Sequence, residues 1–516
     1  MRIKDIKNLT TTRRSILIFI CTIFIHIQCA LPFSNKENSQ DQVLQDLLGL
    51  YLLSLAFCTN GLWARNVTTN RTECIPATKV ITSQHANIYV ENGLNLKLDI
   101  NLIANDFDTK IHPLLTSIFG QPSDINQDGR IDIFILDIRD GAQVNGPFVA
   151  GFFDPNDLAN GVSSSNNRRE ILYMDGKELV SLIGRDPNAF ESTVAHEYQH
   201  LIRFPRTQLV GITDDIWINE GTSEVASDLG GFGPQSSRIR CFHGATDSPC
   251  SGGGNGVSLL EWSTNPSNDS SYILKQYAYA YAFMRYLYDN AGTSQESKRN
   301  FFFSNVNGNN SNIRGNNILN LMQLFREANS FDTNIGSYDS EAFLRILNSF
   351  WLQMIPGSTN NPVVRSGNPS TNINLTSLVT SYPLSSTLTT ASANTFPIQS
   401  DIPSRIAASA GVRVANAVNV DATVQAITGS DKITSISNPS SHTLLFSESN
   451  ARIFLQRDAQ GTNSNSPNEF IGSSKLGGRW NSWSRDFVKD HASSFQKGNP
   501  SSTNPISVCG HPFLAE

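Results

Sequence analysis

The sequence predicts an α+β fold, in which a mixed sheet packs on a helix carrying two histidines and a mainly helical lobe follows. Three observations predict it. Short β-branched and aromatic runs at 88–90, 131–136, 148–153 and 171–174 are interrupted by a single helical stretch. Helical periodicity then dominates from 188 to 354. The 516 residues, 39% apolar and 16% charged, suffice to bury a sizeable core.

Taken in order, Arg2, Lys4, Lys7, Arg13 and Arg14 precede an apolar run at 16–25. Such a run falls short of the ~20 residues that span a bilayer, so residues 1–29 are expected to be a signal peptide. Cys29 closes the run and is a candidate for lipid attachment, although Gln28 is larger than the small residue that precedes such cysteines. Residues 30–76 are polar apart from 44–57 and suggest a spacer or propeptide-like segment. From 77 the pattern becomes globular, with a strand at 88–90 and a helix at 96–119 that Pro113 should break or kink and Gly120 end. Strands follow at 131–136, 148–153 and 171–174. Helices are expected at 188–204, stopped by Pro205, and at 216–229, 272–290 and 343–354. Residues 77–360 are thus one expected domain. Residues 361–516, rich in Ser, Thr and Asn, form either a small β region, with strands at 443–446 and 451–455, or a partly disordered one.

The net charge of -6 comes without a basic block in the body of the chain, which argues against a nucleic-acid partner. Of seven cysteines, Cys21 and Cys29 belong to the leader, and Cys58 with Cys74 and Cys241 with Cys250 are close enough to pair in an oxidising compartment. Cys509 is left over. No Cys-x-x-Cys occurs, so thiolate-bound zinc is not indicated.

The chemistry concentrates in Glu191-Ser-Thr-Val-Ala-His196-Glu197-Tyr-Gln-His200. Histidines four apart project from one side of a helix and can share a metal ion, while Glu197 lies about 100° round from His196. Val194, Tyr198, Leu201 and Ile202 form the opposite, core-facing stripe, which leaves the histidines to line a cleft. A zinc ion with two imidazoles needs a third protein ligand and an open position. Glu220 and Glu224, also four apart in Trp217-Ile-Asn-Glu-Gly-Thr-Ser-Glu, can supply it, and Glu220 is the expected ligand. With zinc at His196, His200 and Glu220, water would be activated at the metal, Glu197 would serve as catalytic base, and a peptide bond would be hydrolysed. Tyr277, Tyr279, Tyr281 and His243 are candidates by residue type alone for stabilising the oxyanion. None of the four is singled out.

A second motif, Asp124-Ile-Asn126-Gln-Asp128-Gly-Arg-Ile-Asp132, alternates oxygen-bearing side chains ahead of a glycine. It reads either as a calcium loop, with Arg130 offering a carbonyl, or as a polar turn before a strand. Ile135 stands where the twelfth-position glutamate of an EF-hand would be, and any calcium here would be structural.

His-Glu-x-x-His followed by Asn219-Glu220-x-x-Ser223-Glu224 is similar to the glutamate-zinc peptidases of the thermolysin type. That resemblance implies Glu220 as third ligand and Glu224, where the thermolysin pattern has Asp, as acceptor of a hydrogen bond from the first histidine. His-Glu-Tyr-Gln-His-Leu-Ile and Asn-Glu-Gly-Thr-Ser-Glu resemble still more the hyicolysin family of secreted bacterial metalloproteases, over roughly residues 85–355. The resemblance implies a thermolysin-like zincin domain, zinc, protein or peptide substrates, and an extracellular location, secreted or at the cell surface; membrane attachment would come through a lipidated Cys29, which the leader itself suggests. The rivals are a surface adhesin built on a metalloprotease-like scaffold and an aminopeptidase. The latter lacks its Gly-x-Met-Glu-Asn type of amine-recognition motif.

Overall fold

A computed structural model describes residues 58–455, apart from 70, 143–147, 159–164, 185, 245–249, 263–269, 355–362, 366–375, 390–396 and several stretches between 402 and 454. The expected leader, Cys29, Cys509 and most of the strand expected at 451–455 lie outside the described residues.

The chain is α+β, as expected. Its main sheet contains β1 (Gly61–Asn66), β2 (Arg71–Thr82), β3 (Ala86–Glu91), β4 (Ile131–Leu136), β5 (Gly151–Phe153) and β6 (Ile171–Asp175), in the order β1-β2-β3-β4-β6-β5. The pairs β3–β4 and β4–β6 are parallel, and the others are antiparallel. Strand β4, Ile-Asp-Ile-Phe-Ile-Leu, is buried at every position because a central parallel strand is covered on both faces. The sheet begins earlier than the hydrophobic pattern indicates, since β1 and β2 form a hairpin within and just beyond the expected spacer. Only Leu62 and Ala64 of β1 are apolar and buried, too few to stand out in a polar stretch.

The crossover from β3 to β4 passes through α1 (Ile100–Asp106) and α2 (His112–Phe119), joined by a π-helical turn at Phe107–Ile111. Asp99 accepts from the N–H groups of Asn101 and Leu102 and so starts α1. Pro113 does not break the helix. It has no N–H to give to the preceding turn, and the widened turn, closed by His112 N–H to Phe107 O, accommodates it within the first turn of α2.

Beyond β6 come α3 (Glu178–Leu182), α4 (Ala189–Arg203), α5 (Ile216–Ser227), α6 (Ser236–His243), α7 (Ser270–Asp289), α8 (Gln295–Asn307), α9 (Ile318–Ala328) and α10 (Asp339–Met354). Helix α4 packs on β5 and β6 and against α5, which in turn packs on α7. Every residue of α4 and of α5 is buried. Gly221 makes the α5–α7 approach possible, because a Cβ there would meet the Ala280 carbonyl oxygen at 2.8 Å. A second sheet has the order β7 (Val363–Arg365), β9 (Ile433–Asn438), β10 (His442–Ser447) and β8 (Val412–Ala415), all antiparallel. Leu378, Tyr382, Leu388, Ala408, Leu444 and Phe446 bury in the same core as the helices.

Candidate metal centre

Helix α4 presents His196 and His200 one turn apart, and α5 brings Glu220 against them. The two Nε2 atoms lie 2.9 Å apart. Glu220 Oε2 is 3.3 Å from His196 Nε2 and 3.5 Å from His200 Nε2. Ligands about 2.0–2.1 Å from a common tetrahedral centre stand roughly 3.3 Å apart, so three donors with these separations can share one zinc ion. Among the described residues, His196, His200 and Glu220 form a group able to hold a metal.

The protonation pattern suits a cation as well. His200 Nδ1 lies 2.9 Å from Ser223 Oγ and 3.2 Å from Asn219 Oδ1. Ser223 gives its own proton to Gln199 Oε1 at 2.5 Å, so its oxygen accepts from Nδ1–H and leaves the His200 Nε2 lone pair facing His196 and Glu220. Burial holds His200 well below the usual histidine range and so keeps it neutral, although Asn219 opposes the shift. Burial also pushes the Glu220 carboxyl well up, against the hydrogen bond from Tyr277 and the charge of Arg238. Its Oε2, buried and without a hydrogen-bond partner, is aimed at the two imidazoles. Two nitrogen lone pairs and a carboxyl oxygen converge in a buried space, where a bound cation would offset the burial that otherwise favours the neutral carboxyl.

Two expectations need correction. The histidine face does not line an open cleft: His196, Glu197 and His200 are fully buried and Glu220 is 2% exposed, because α5 packs across that face. Glu224 does not hydrogen-bond the first histidine, since its Oε1 stands 3.9 Å from His196 Nδ1. Arg238 of α6 takes both of its oxygens, with Nε at 3.1 Å and Nη2 at 2.8 Å, and the guanidinium lies over the Tyr277 ring. Burial drives the Glu224 carboxyl up and Arg238 holds it back, to about 7. Arg238 and Tyr277 thereby join Glu224 to Glu220. Only the basic character of α6 hints at this, 14 residues downstream of Glu224.

Three of the four oxyanion candidates are engaged elsewhere. Tyr279 donates to the Ser409 carbonyl at 2.7 Å and Tyr281 to Asp228 at 2.8 Å, while His243 Nε2 faces the Leu388 carbonyl at 3.4 Å. Tyr277 alone touches the centre, through Glu220.

In the second motif, Asp124 and Asn126 accept the N–H of Asp128, and Asp128 accepts that of Arg130. Asn87 Nδ2 bridges Asp128, at 3.2 Å, and Asp132, at 2.9 Å, and Arg169 pairs with Asp132 at 2.8 Å. These four residues are outside the metal-capable groups found among the described residues. Asp137, Asp175 and Glu178 form another such group, but Lys177 Nζ already lies 3.5 Å from Asp137 and 3.1 Å from Glu178.

The α+β fold thus gathers two imidazoles and a carboxylate from paired helices at one candidate metal centre. The chain is 30% identical over 230 residues to the neutral metalloprotease ShpI of Staphylococcus hyicus. The match takes in 43% of this chain and 49% of that protein, so the chain spans about half the length of the curated relative it matches. No protein-family model matches the chain.

Proposed function

We propose that this protein is a zinc-dependent metalloendopeptidase of the hyicolysin kind, exported from a bacterial cell and acting on protein or peptide substrates. The convergence of His196 Nε2, His200 Nε2 and Glu220 Oε2 within 2.9–3.5 Å carries the proposal. The similarity to ShpI supports the reaction class. Bound at these three residues, zinc would supply Lewis acidity, lowering the pKa of water towards about 7 and polarising a carbonyl oxygen.

The side chains do the rest. Ser223 and Asn219 hold the His200 ring in one tautomer, and Tyr277 holds Glu220. Glu197, buried and next to His196 on α4, takes a proton from the attacking water and returns it to the leaving nitrogen as the C–N bond breaks. Export is supported by the Cys241–Cys250 disulfide, with Cα atoms 4.9 Å apart, and by the disulfide-bonded state of Cys58 and Cys74. No helix among the described residues is long and apolar enough to cross a membrane. Attachment through a lipidated Cys29 and structural calcium at Asp124, Asn126, Asp128 and Asp132 belong to the same proposal.

Glu197→Gln should retain zinc while losing about 10²–10⁴ in rate on casein, because the amide fits the space but cannot shuttle a proton. His200→Ala and Glu220→Ala should lose zinc itself. Undiminished proteolysis by Glu197→Gln, or wild type that takes up no zinc, would sink the assignment.

A further inference from the structure

One turn beyond His200, the Arg203 guanidinium is fully buried and reaches three segments at once. It forks onto Asp214, with Nε at 3.0 Å from Oδ2 and Nη2 at 2.8 Å from Oδ1. Its Nη1 reaches Asn305 Oδ1 of α8 at 3.3 Å, and Nη2 also reaches the Gly315 carbonyl at 3.1 Å. Asp214 stands six residues before Glu220 and accepts from Thr207 Oγ1 at 2.8 Å as well. Asn305 continues the chain of bonds into α5, donating to Thr222 Oγ1 at 3.2 Å, two residues after Glu220. The loop at 315 closes on Asn305 so tightly that a Cβ on Gly315 would fall 2.3 Å from Asn305 Oδ1. The segment entering α5 is tied there too, by Asp215 N–H to Asn316 O at 2.7 Å.

The helix with two metal-capable histidines and the helix with the carboxylate are therefore joined, on both sides of Glu220, through one buried guanidinium. A buried ion pair confers little stability over apolar replacements, whereas its fork geometry is specific. We infer that Arg203 and Asp214 act as a positioning clamp that sets the spacing of Glu220 from His196 and His200 and so the affinity of the metal centre. The inference rests on the metalloprotease reading. It concerns residues outside the His196, His200 and Glu220 group.

The test uses the full chain. Coupling is reciprocal, so zinc must also tighten the clamp. In wild type stripped of metal and then reloaded with zinc, amide hydrogen exchange should slow at 207–215 and around 305 and 315, together with α4 and α5. Arg203→Lys keeps the charge but cannot fork, and it should bind zinc 10–100-fold more weakly, the range usual for partners that orient metal ligands. Its cobalt-substituted form should show a visible spectrum shifted from that of wild type, which a merely stabilising residue would not move. Unchanged exchange at the clamp on zinc loading overturns the inference, whether or not the variant folds. So does Arg203→Lys with wild-type zinc affinity and cobalt spectrum. If wild type binds no zinc at all, the proposed function fails instead, which separates the two.

Discussion

His200 shows how a single proton can be placed by neighbours far apart in the chain. Ser223 and Asn219 lie about twenty residues downstream, yet together they settle which ring nitrogen faces the carboxylate. The three residues proposed to bind metal are legible in the sequence because each motif is local: four-residue spacing on a helix fixes which side chains share a face. Arg203 and Arg238 are not, because nothing in an arginine's neighbours along the chain tells which buried acid it will meet. Asp157 is another residue of this kind. It accepts from Tyr173 Oη at 2.5 Å and Asn167 N–H at 2.6 Å, and burial, with Asp154 beside it, pushes its carboxyl up to about 8. Its folded-state pKa is raised above the ordinary 3.8, so between about pH 4 and pH 8 the native protein holds a proton that the unfolded chain has already released. Stability from this group is full below the lower value and is lost as pH rises through the upper one. Asp157→Asn should therefore show a flatter fall in melting temperature between pH 5 and pH 8.5 than wild type. Parallel curves for the two proteins would show that Asp157 does not titrate in this way.

At the scale of elements, α4, α5, α7, α10, β4 and β6 stand close to where periodicity places them, because each carries a long or uniform apolar pattern. Helix α8, Gln-Glu-Ser-Lys-Arg-Asn-Phe-Phe-Phe-Ser-Asn-Val-Asn, has no such pattern, and its start depends on the Ser294 capping box. The β1–β2 hairpin was hidden for a related reason, since its packing face is small. The turn before β4 illustrates an element with two physical solutions. Its oxygens already bind backbone N–H groups and the Asn87 amide, yet carboxylates retain lone pairs for a hard cation. If calcium joins them as proposed, selective chelation should lower the melting temperature of wild type but not of Asp128→Ala. An identical shift in both proteins would remove calcium from the turn.

Over the whole molecule, the change to a Ser-, Thr- and Asn-rich composition near 360 does not coincide with a break in packing. Tyr286 of α7 donates to the Tyr382 carbonyl at 2.7 Å, and Tyr279 donates to that of Ser409 at 2.7 Å. Trp351 of α10 lies against Gly411, where a Cβ would stand 2.7 Å from the indole, and its Nε1 reaches the Ser409 carbonyl at 3.3 Å. Ser409 Oγ accepts the N–H groups of Leu259 and Leu260 at 2.9 and 3.1 Å. Composition could not reveal this, because the contacts are made by a few apolar residues and by backbone carbonyls, which every residue has. The consequence is testable by ending the chain at 360. Tyr382, Leu388, Leu444 and Phe446 would be removed from the shared core, and the Phe325 ring of α9 and the Trp351 ring of α10, which face Tyr382 and Phe446, would meet water. Exposing a large apolar side chain costs about 1.5–3 kcal/mol, so several such losses equal the roughly 5–15 kcal/mol by which a domain is stable. The shortened protein should aggregate on expression, or bind a hydrophobic dye and lack near-ultraviolet circular dichroism from its buried tyrosines and tryptophans. A soluble 1–360 fragment with the melting temperature and aromatic spectrum of the full chain would show that the later residues only decorate a core complete without them.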